Sequence, residues 1–287
     1  MTPVKLGTRG SALALAQAQL VAEALAAEAE LVPIRTADGR APSDKARFVK
    51  EIEDALLDGR IDLAVHSAKD VPEVLPDGLS IVGVPKRADP RDALVGAASL
   101  DELPAGARLG TSSLRRRSQL LALRDDISVL ELHGNVDTRL KRLDQGRFDA
   151  IVLARAGLER LGRPEGVPLD ALVPAPGQGC LLLEARSADE RATELAAALT
   201  DDDSLVCLTA ERAVVARLEA DCRTPVGAHA VLRDGELWLT AFVGSPDGSA
   251  WVRDELAGAH TDPVALGRQV GDRLLTAGAH DVLGVAA

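Results

Sequence analysis

The chain has 287 residues and a formal net charge of -11, with a pI of about 5.0; its length exceeds one ordinary core and predicts more than one domain. Aromatic residues make up 2% of it and tyrosine is absent, which excludes base-stacking platforms, and the acidity argues against a phosphate-backbone binder, so no nucleic-acid partner is expected. No window approaches eighteen uninterrupted apolar residues and MTPVKLGTRG lacks a signal-peptide core, so a cytoplasmic protein with no membrane partner is expected.

In chain order, short apolar runs alternate with helical patterns, the signature of an α/β fold with covered sheets. VKLGTRGSALALAQAQLVAEAL reads as a strand, a Gly-Thr turn, an N-cap at Ser11 and a helix. Leu13, Leu20 and Leu25 are expected on or near one face of it, and the alanine-rich stretch Ala22 to Ala29 is expected to be helical by propensity. KARFVKEIEDALLDG then reads as a helix leading into the strand GRIDLAVHS. PKRADP is a plausible crossover between domains. RLGTSSLRRRSQLLAL repeats the strand, turn and helix plan of the N-terminus, with Thr111 or Ser112 as the expected cap. VDTRLKRLDQG and GRFDAIVLA repeat the helix and strand pair, and Gly59 to Ser67 aligns without a gap on Gly146 to Ala154. Two copies of one supersecondary plan follow, most simply arranged as two similar α/β domains across a cleft. VPAPGQG is the second crossover, CLLLEA a buried strand, and Asp202 to about Glu219 a long helix. ELWLTAFVGS and WVRDEL predict antiparallel strands around the turn SPDGS, before a last helix from about Asp262.

The chemistry collects at a few places. Thr111, Ser112, Ser113, Arg115 and Arg116, at the first turn of a helix, resemble an anion cradle in which backbone N–H groups and guanidinium forks act together. Thr8, Arg9 and Ser11 make the matching cradle in the other half, and Arg139 and Arg160 are further cationic candidates. Arg117 falls on a different face by helical spacing and is expected to point to solvent; a solvated face is the plain alternative for the whole RRR run. In AVHSAKDVPE, His66, Ser67, Lys69 and Asp70 follow a buried strand at its carboxyl end, the usual site position in open α/β sheets. Asp70 beside Lys69 is either a working carboxylate or a surface ion pair, and His66 reads first as a hydrogen-bonded structural histidine. Of three cysteines, Cys180 and Cys207 read as small buried hydrophobes, whereas Cys222 sits in a polar turn beside Arg223. Their number and spacing support neither a disulfide framework nor a zinc site, so no metal is expected.

GTRGSALALAQ, KARFVKEIEDALL, DLAVHSAKDVP, ADPRDALV, GTSSLRRRSQL, GNVDTRLKRLD, DAIVLARAGLERL, PAPGQG and CRTPVGAHA, in this order and spacing, closely resemble the hydroxymethylbilane synthase (porphobilinogen deaminase) family over almost the whole chain. The resemblance implies three domains: 1–86 with 180–200, 87–179, and 201–287. The first two would be α/β domains like type II periplasmic binding proteins, and the third a small α+β domain. It implies a monomeric transferase that condenses four porphobilinogen molecules head to tail, with loss of ammonia, on a covalent dipyrromethane primer. Hydrolysis would then release hydroxymethylbilane for tetrapyrrole biosynthesis.

Carried over motif by motif, Asp70 would be the catalytic carboxylate and Cys222 the thioether anchor of the dipyrromethane cofactor. Ser67, Lys69, Asp70, Thr111, Ser113, Arg115, Arg116, His133 and Arg139 would hold that cofactor. Arg9, Ser11, Phe48, Arg160 and Gln178 would meet substrate. Three positions depart from the family pattern: His133 stands where arginine is usual, Ala220 and Asp221 replace paired glycines before the cysteine, and SDKAR precedes Phe48 where Gly-Lys-Gly is common. A non-catalytic protein that binds small polycarboxylates or tetrapyrroles is the alternative reading.

Overall fold

The computed structural model describes residues 2–35, 45–221 and 224–284, with side chains described throughout these ranges except at 45–48. In chain order it contains β1 (Val4–Arg9), α1 (Ala12–Ala24), β2 (Ala29–Ile34), α2 (Lys45–Leu57), β3 (Leu63–Ser67), a single 3-10 turn over Ala68–Asp70, β4 (Leu79–Gly83) and β5 (Asp92–Val95). There follow β6 (Arg108–Gly110), α3 (Leu114–Leu123), β7 (Ser128–Leu130), α4 (Val136–Asp144), β8 (Ala150–Ala154), α5 (Arg155–Arg160) and β9 (Val167–Leu169). The remainder is β10 (Leu181–Arg186), α6 (Glu190–Ala197), α7 (Asp202–Arg217), β11 (Val226–Arg233), β12 (Glu236–Gly244), β13 (Trp251–Ala259), α8 (Pro263–Thr276) and α9 (Ala279–Leu283). Two compact units result, residues 1–88 with 179–205 and residues 89–178 with 206–287. No helix among the described residues is long and apolar enough to cross a membrane.

The first unit is built on a five-stranded sheet ordered β2-β1-β3-β10-β4. β1 runs parallel to both β2 and β3, and β10 returns antiparallel to β3 and β4. Alternation along β3 explains how both faces are covered. Leu63 and Val65 pack with Ala18 and Val21 of α1 and Ala192 and Ala196 of α6. Ala64, with Ile61, packs against Ile52, Ala55 and Leu56 of α2. The buried stripe of α1 is Ala14, Gln17, Ala18 and Val21, while Leu20 is 48% exposed. That corrects the expected Leu13, Leu20 and Leu25 face: small residues let α1 lie close on the sheet, and of the three leucines only Leu25, at the C-cap, is buried. Nor does helix continue to Ala29, because α1 stops at Ala24 and Ala29 opens β2.

The second unit repeats the plan. Its sheet is ordered β7-β6-β8-β5-β9, with β6 parallel to β7 and β8, and β5 antiparallel to β8 and β9. Strand for strand, β6, β7, β8, β5 and β9 take the places of β1, β2, β3, β10 and β4, so the duplication legible in the sequence is a duplication of topology. The same unit contains the antiparallel sheet β11-β12-β13, whose apolar residues pack with Ala210 and Val214 of α7 and Leu266, Val270 and Leu274 of α8.

Within the first unit the two crossover segments meet, the Ala88 N–H donating to the Gly179 carbonyl at 3.2 Å. Gly179 has φ +91°, and a Cβ there would collide with the Ala88 carbonyl oxygen. A side chain at 179 therefore suffers both backbone strain and a clash with main chain that cannot swing away. Gly179→Ala should destabilise the protein by roughly 2–3 kcal/mol, read as a fall in denaturation midpoint; a midpoint unchanged from wild type would show that the segments part without loss.

Candidate functional site

In the first unit the candidate residues gather at the carboxyl ends of the parallel strands β1 and β3, where an open α/β sheet exposes backbone and loops. Arg9 ends β1, and Ser11 caps α1 by accepting the Ala14 N–H at 3.3 Å. The buried Thr8 hydroxyl lies 3.2 Å from the Ala14 carbonyl oxygen, so it staples the turn from beneath. Ser67 ends β3, its hydroxyl 2.9 Å from Nε2 of the buried Gln17 of α1. Lys69 and Asp70 follow in the single turn 68–70, half-buried, with that turn anchored by the Ala68 N–H donating to the Cys180 carbonyl at 3.1 Å. The structure thus brings Arg9, Ser11, Ser67, Lys69 and Asp70 to one edge of one sheet. Phe48 lies on α2, but its side chain is outside the described residues.

In the second unit the equivalent edge is formed by the ends of β6, β7 and β8. Ser113, rather than Thr111 or Ser112, caps α3, accepting the Arg116 N–H at 3.4 Å, and the Thr111 hydroxyl accepts the Ser113 N–H at 3.2 Å. Arg139, in the first turn of α4, donates through Nε to the Gly134 carbonyl at 2.8 Å and approaches the Ser112 hydroxyl at 3.3 Å. Arg160 closes the short helix α5. His133 is half-buried and paired with Glu131 at 2.7 Å, so a resident carboxylate already competes for its ring.

Arg115 and Arg116 are only 4% and 5% exposed, and what holds them is a residue the sequence reading passed over. Asp92, at the head of β5, is fully buried. Its Oδ2 accepts from Nη1 of Arg115 at 2.8 Å, and its Oδ1 from Nε of Arg116 at 2.9 Å. Gln178, also buried, adds Nε2 to Oδ1 at 2.9 Å and spans to the Pro90 carbonyl at 2.7 Å. Burial alone would raise the Asp92 carboxyl, but the Arg115 and Arg116 charges outweigh it and hold the group well below the usual carboxylate range. Two guanidinium groups against one carboxylate leave an excess of one positive charge in a dry site. Nε of Arg115 has no hydrogen-bond partner among the described residues. Arg117, expected to face solvent, instead bridges the Pro246 and Val129 carbonyls at 3.1 and 3.2 Å.

A second missed residue is Glu211 of α7, with no exposed surface. Its two oxygens accept the Gly177 N–H at 2.7 Å and the Ala230 N–H at 2.8 Å, joining the crossover that carries Gln178 to the strand β11. Cys222, with Arg223, lies outside the described residues, between α7 and β11. Cys180 and Cys207 are buried, as small hydrophobes should be. No group of His, Cys, Asp and Glu among the described residues is arranged to hold a metal ion.

The chain is similar to known proteins along nearly its whole length. Residues 4–194 match the family model described as porphobilinogen deaminase, dipyromethane cofactor binding domain, and residues 205–276 match that described as porphobilinogen deaminase, C-terminal domain. A porphobilinogen deaminase of Roseiflexus sp. (strain RS-1) is 47% identical, the alignment covering 97% of each chain. That of Roseiflexus castenholzii is 46% identical with the same coverage. Among solved structures, an ancestral cationic amino acid solute binding protein is 14% identical and overlays 69% of this chain and 87% of its own at a TM-score of 0.42.

Removing the Asp92 carboxylate should show what it holds. Asp92→Ala leaves two buried guanidinium groups side by side and is expected to cost about 3–5 kcal/mol. For Asp92→Asn the sign follows from the lowered carboxyl: its contribution is complete above its ordinary value of 3.8 and is lost only as pH falls below that toward the depressed folded value. The stability gap between wild type and Asp92→Asn should therefore stay level down to about pH 4 and narrow below it; a gap that widened toward acid would contradict the assignment.

Proposed function

The chain belongs to the porphobilinogen deaminase family, and we propose that its chemistry is carried by Asp70 and by the cationic strand ends of the second unit. The activity is that of a transferase, hydroxymethylbilane synthase: four porphobilinogen molecules are condensed head to tail with loss of ammonia and the linear product is released by hydrolysis. The dipyrromethane cofactor, when bound, supplies a free pyrrole α-carbon as the first nucleophile.

The observation that carries the site assignment is the buried Asp92, Arg115 and Arg116 cluster. Its surplus positive charge and the unsatisfied Nε of Arg115 suit a group bearing several carboxylates, as a pyrrole with acetate and propionate arms does. In this reading Thr111, Ser113, Arg115, Arg116 and Arg139 hold the cofactor's carboxylates, with His133 contributing in competition with Glu131. Ser67, Lys69 and Asp70 hold it from the turn after β3, and Cys222 anchors it by a thioether. Arg9, Ser11, Phe48 and Arg160 receive the incoming substrate. Gln178, buried on Asp92, supports the arginine pair from behind as well as lying near the substrate.

Asp70 is half-buried on a tight turn, a fixed carboxylate rather than a mobile surface one. It accepts pyrrole N–H groups, offsets positive charge as the aminomethyl nitrogen departs, and assists proton transfer to that leaving nitrogen. The arginines hold carboxylates and so fix ring orientation, which is most of what a condensation between two like molecules requires. We further infer three domains with the boundaries read from the sequence, and a monomer of the cytoplasm with no nucleic-acid partner, in keeping with a net charge of -11 and an aromatic content of 2%.

Two variants separate attachment from turnover. Intact mass of the wild-type protein should exceed its sequence mass by two linked pyrrole units, and Cys222→Ser should lack that increment. Asp70→Asn should keep the increment and lose about a hundredfold or more in turnover. An unmodified wild-type mass after expression with ample porphobilinogen would remove Cys222 as anchor, and full turnover in Asp70→Asn would remove Asp70 from the chemistry.

A further inference from the structure

The first unit buries a second group of ionisable residues that the reading above does not use. On the sheet face covered by α2, β3 presents His66 and β10 presents Glu184. In their antiparallel register His66 opposes Leu182 and Glu184 opposes Ala64, so both project to the side that Ala64 shares with α2. α2 adds Glu53. Exposure is 6% for His66, 0% for Glu184 and 6% for Glu53. Nε2 of His66 is 3.0 Å from Oε2 of Glu184, within ion-pair range though not aligned for a hydrogen bond. Oε1 of Glu53 and both oxygens of Glu184 have no hydrogen-bond donor among the described residues.

The duplication supplies an internal control. Gly59 to Ser67 aligns without a gap on Gly146 to Ala154, which sets His66 on Leu153 and, six residues upstream of the shared glycine, Glu53 on Leu140. β10 and β5 hold the same place in their sheets, Leu181 opposite the last residue of β3 and Asp92 opposite the last residue of β8, which sets Glu184 on Val95. Leu153 and Val95 belong to one apolar cluster of the second unit, and Leu140 packs on it. The same fold therefore fills these three positions with hydrocarbon where nothing else is asked of them. Two carboxyl groups and one imidazole in the first unit are not a requirement of the architecture, and their burial works against stability.

His66 immediately precedes Ser67 and the turn that carries Asp70, and α2 packs on that turn as well as on β3. We propose that Glu53, His66 and Glu184 are positioning residues for Asp70: a buried polar cluster that fixes the ground on which the turn sits. The proposal rests on the reading of Asp70 as the working carboxylate. A carboxyl that keeps its proton supplies the donor that the unsatisfied oxygens lack. Burial, then the Glu184 charge, raises the proton affinity of Glu53, with His66 opposing. As pH rises and Glu53 yields its proton to solvent, one more negative charge appears on the helix packed against the turn of Asp70. The other charged groups on elements packed against α2 are Arg9 and Lys5 on β1, Lys69 and Asp70 on the turn, and Arg186 on β10, which is committed to the Leu56 and Ile61 carbonyls and to Asp189. β4 carries none, and α2 itself adds the half-buried Glu51 together with Lys50 and Asp54, which pair at 3.2 Å and act on Glu53 in opposite senses.

The decisive experiment transplants the apolar solution of the second unit: Glu53→Leu, His66→Leu and Glu184→Val together, measured as holoenzyme beside Glu53→Gln and Asp70→Asn. A filler role predicts that the triple variant works normally. Positioning predicts a folded protein with a denaturation midpoint equal to or above wild type, kcat down about tenfold or more, and KM within about twofold. Glu53→Gln, which imitates the protonated carboxyl, should match wild-type kcat at the acid end and exceed it at the alkaline end. Because a raised carboxyl contributes stability below its ordinary range and loses it as pH rises through the folded value, Glu53→Gln should also gain on wild type in midpoint as pH rises. Unchanged kcat in the triple variant overturns the proposal. Should that variant not fold, Glu53→Gln decides: pH profiles of kcat and midpoint superimposable on wild type overturn it equally. Full activity in Asp70→Asn strikes instead at the assignment of Asp70, whatever the cluster does.

Discussion

Asp92 is a carboxylate without access to water, and it stays ionised there only because Arg115, Arg116 and Gln178 surround it with donors. Much of the second unit is arranged around that fact. Nη1 of Arg115 and Nε2 of Gln119 both donate to the Val173 carbonyl, at 2.7 and 3.0 Å, and Oε1 of Gln119 accepts the Val173 N–H at 2.7 Å. The next residue, Pro174, accepts the Ala228 N–H at 3.0 Å, and Gly177 and Ala230 are gathered by Glu211. A continuous series of short polar contacts therefore runs from the cationic helix α3 through the crossover to β11. Each contact is modest alone, but in a dry interior none can be dropped without stranding a partner.

The duplicated sheets show where sequence is spent on architecture and where on chemistry. Where β10 begins in the first unit with the buried Leu181, β5 begins in the second with Asp92. Where the second unit has Leu140, Leu153 and Val95, the first has Glu53, His66 and Glu184. Each copy thus has buried charge where the other has hydrocarbon, the one beneath its arginines and the other beside the turn of Asp70. Buried charge lowers stability relative to apolar filling, so its survival in one copy and not the other marks positions answerable to function rather than to fold.

Strand positions, the two-copy plan and the Ser11 cap were legible because they depend on neighbours within a few residues: alternation, a hydroxyl three residues before an N–H, glycine after a helix. The face of α1 was not. In ALALAQAQLVAEA nearly every side is apolar, so periodicity cannot distinguish the alanine stripe that seats on the sheet from the leucines beside it. Arg117 was misplaced for a related reason, since helical spacing gives a direction but not the carbonyls of Val129 and Pro246 waiting there.

Asp92, Glu211, Gln17 and Glu184 escaped for a different reason. Each is an ordinary polar residue in an ordinary apolar run, and each takes its role from a partner 19 to 50 or more residues away. A lone aspartate heading DALV carries no local sign that two arginines will close on it. What the sequence does carry is the anomaly itself: a charged residue inside a run short and apolar enough to be a buried strand must meet a countercharge or a proton. Applied to DALV and LLLEAR, that rule points to Asp92 and Glu184 without naming their partners. In Asp92 the need is met by two guanidinium groups, so a positive surplus remains there. Glu184 meets one imidazole and a second carboxyl, Glu53, whose proton affinity burial and the Glu184 charge raise.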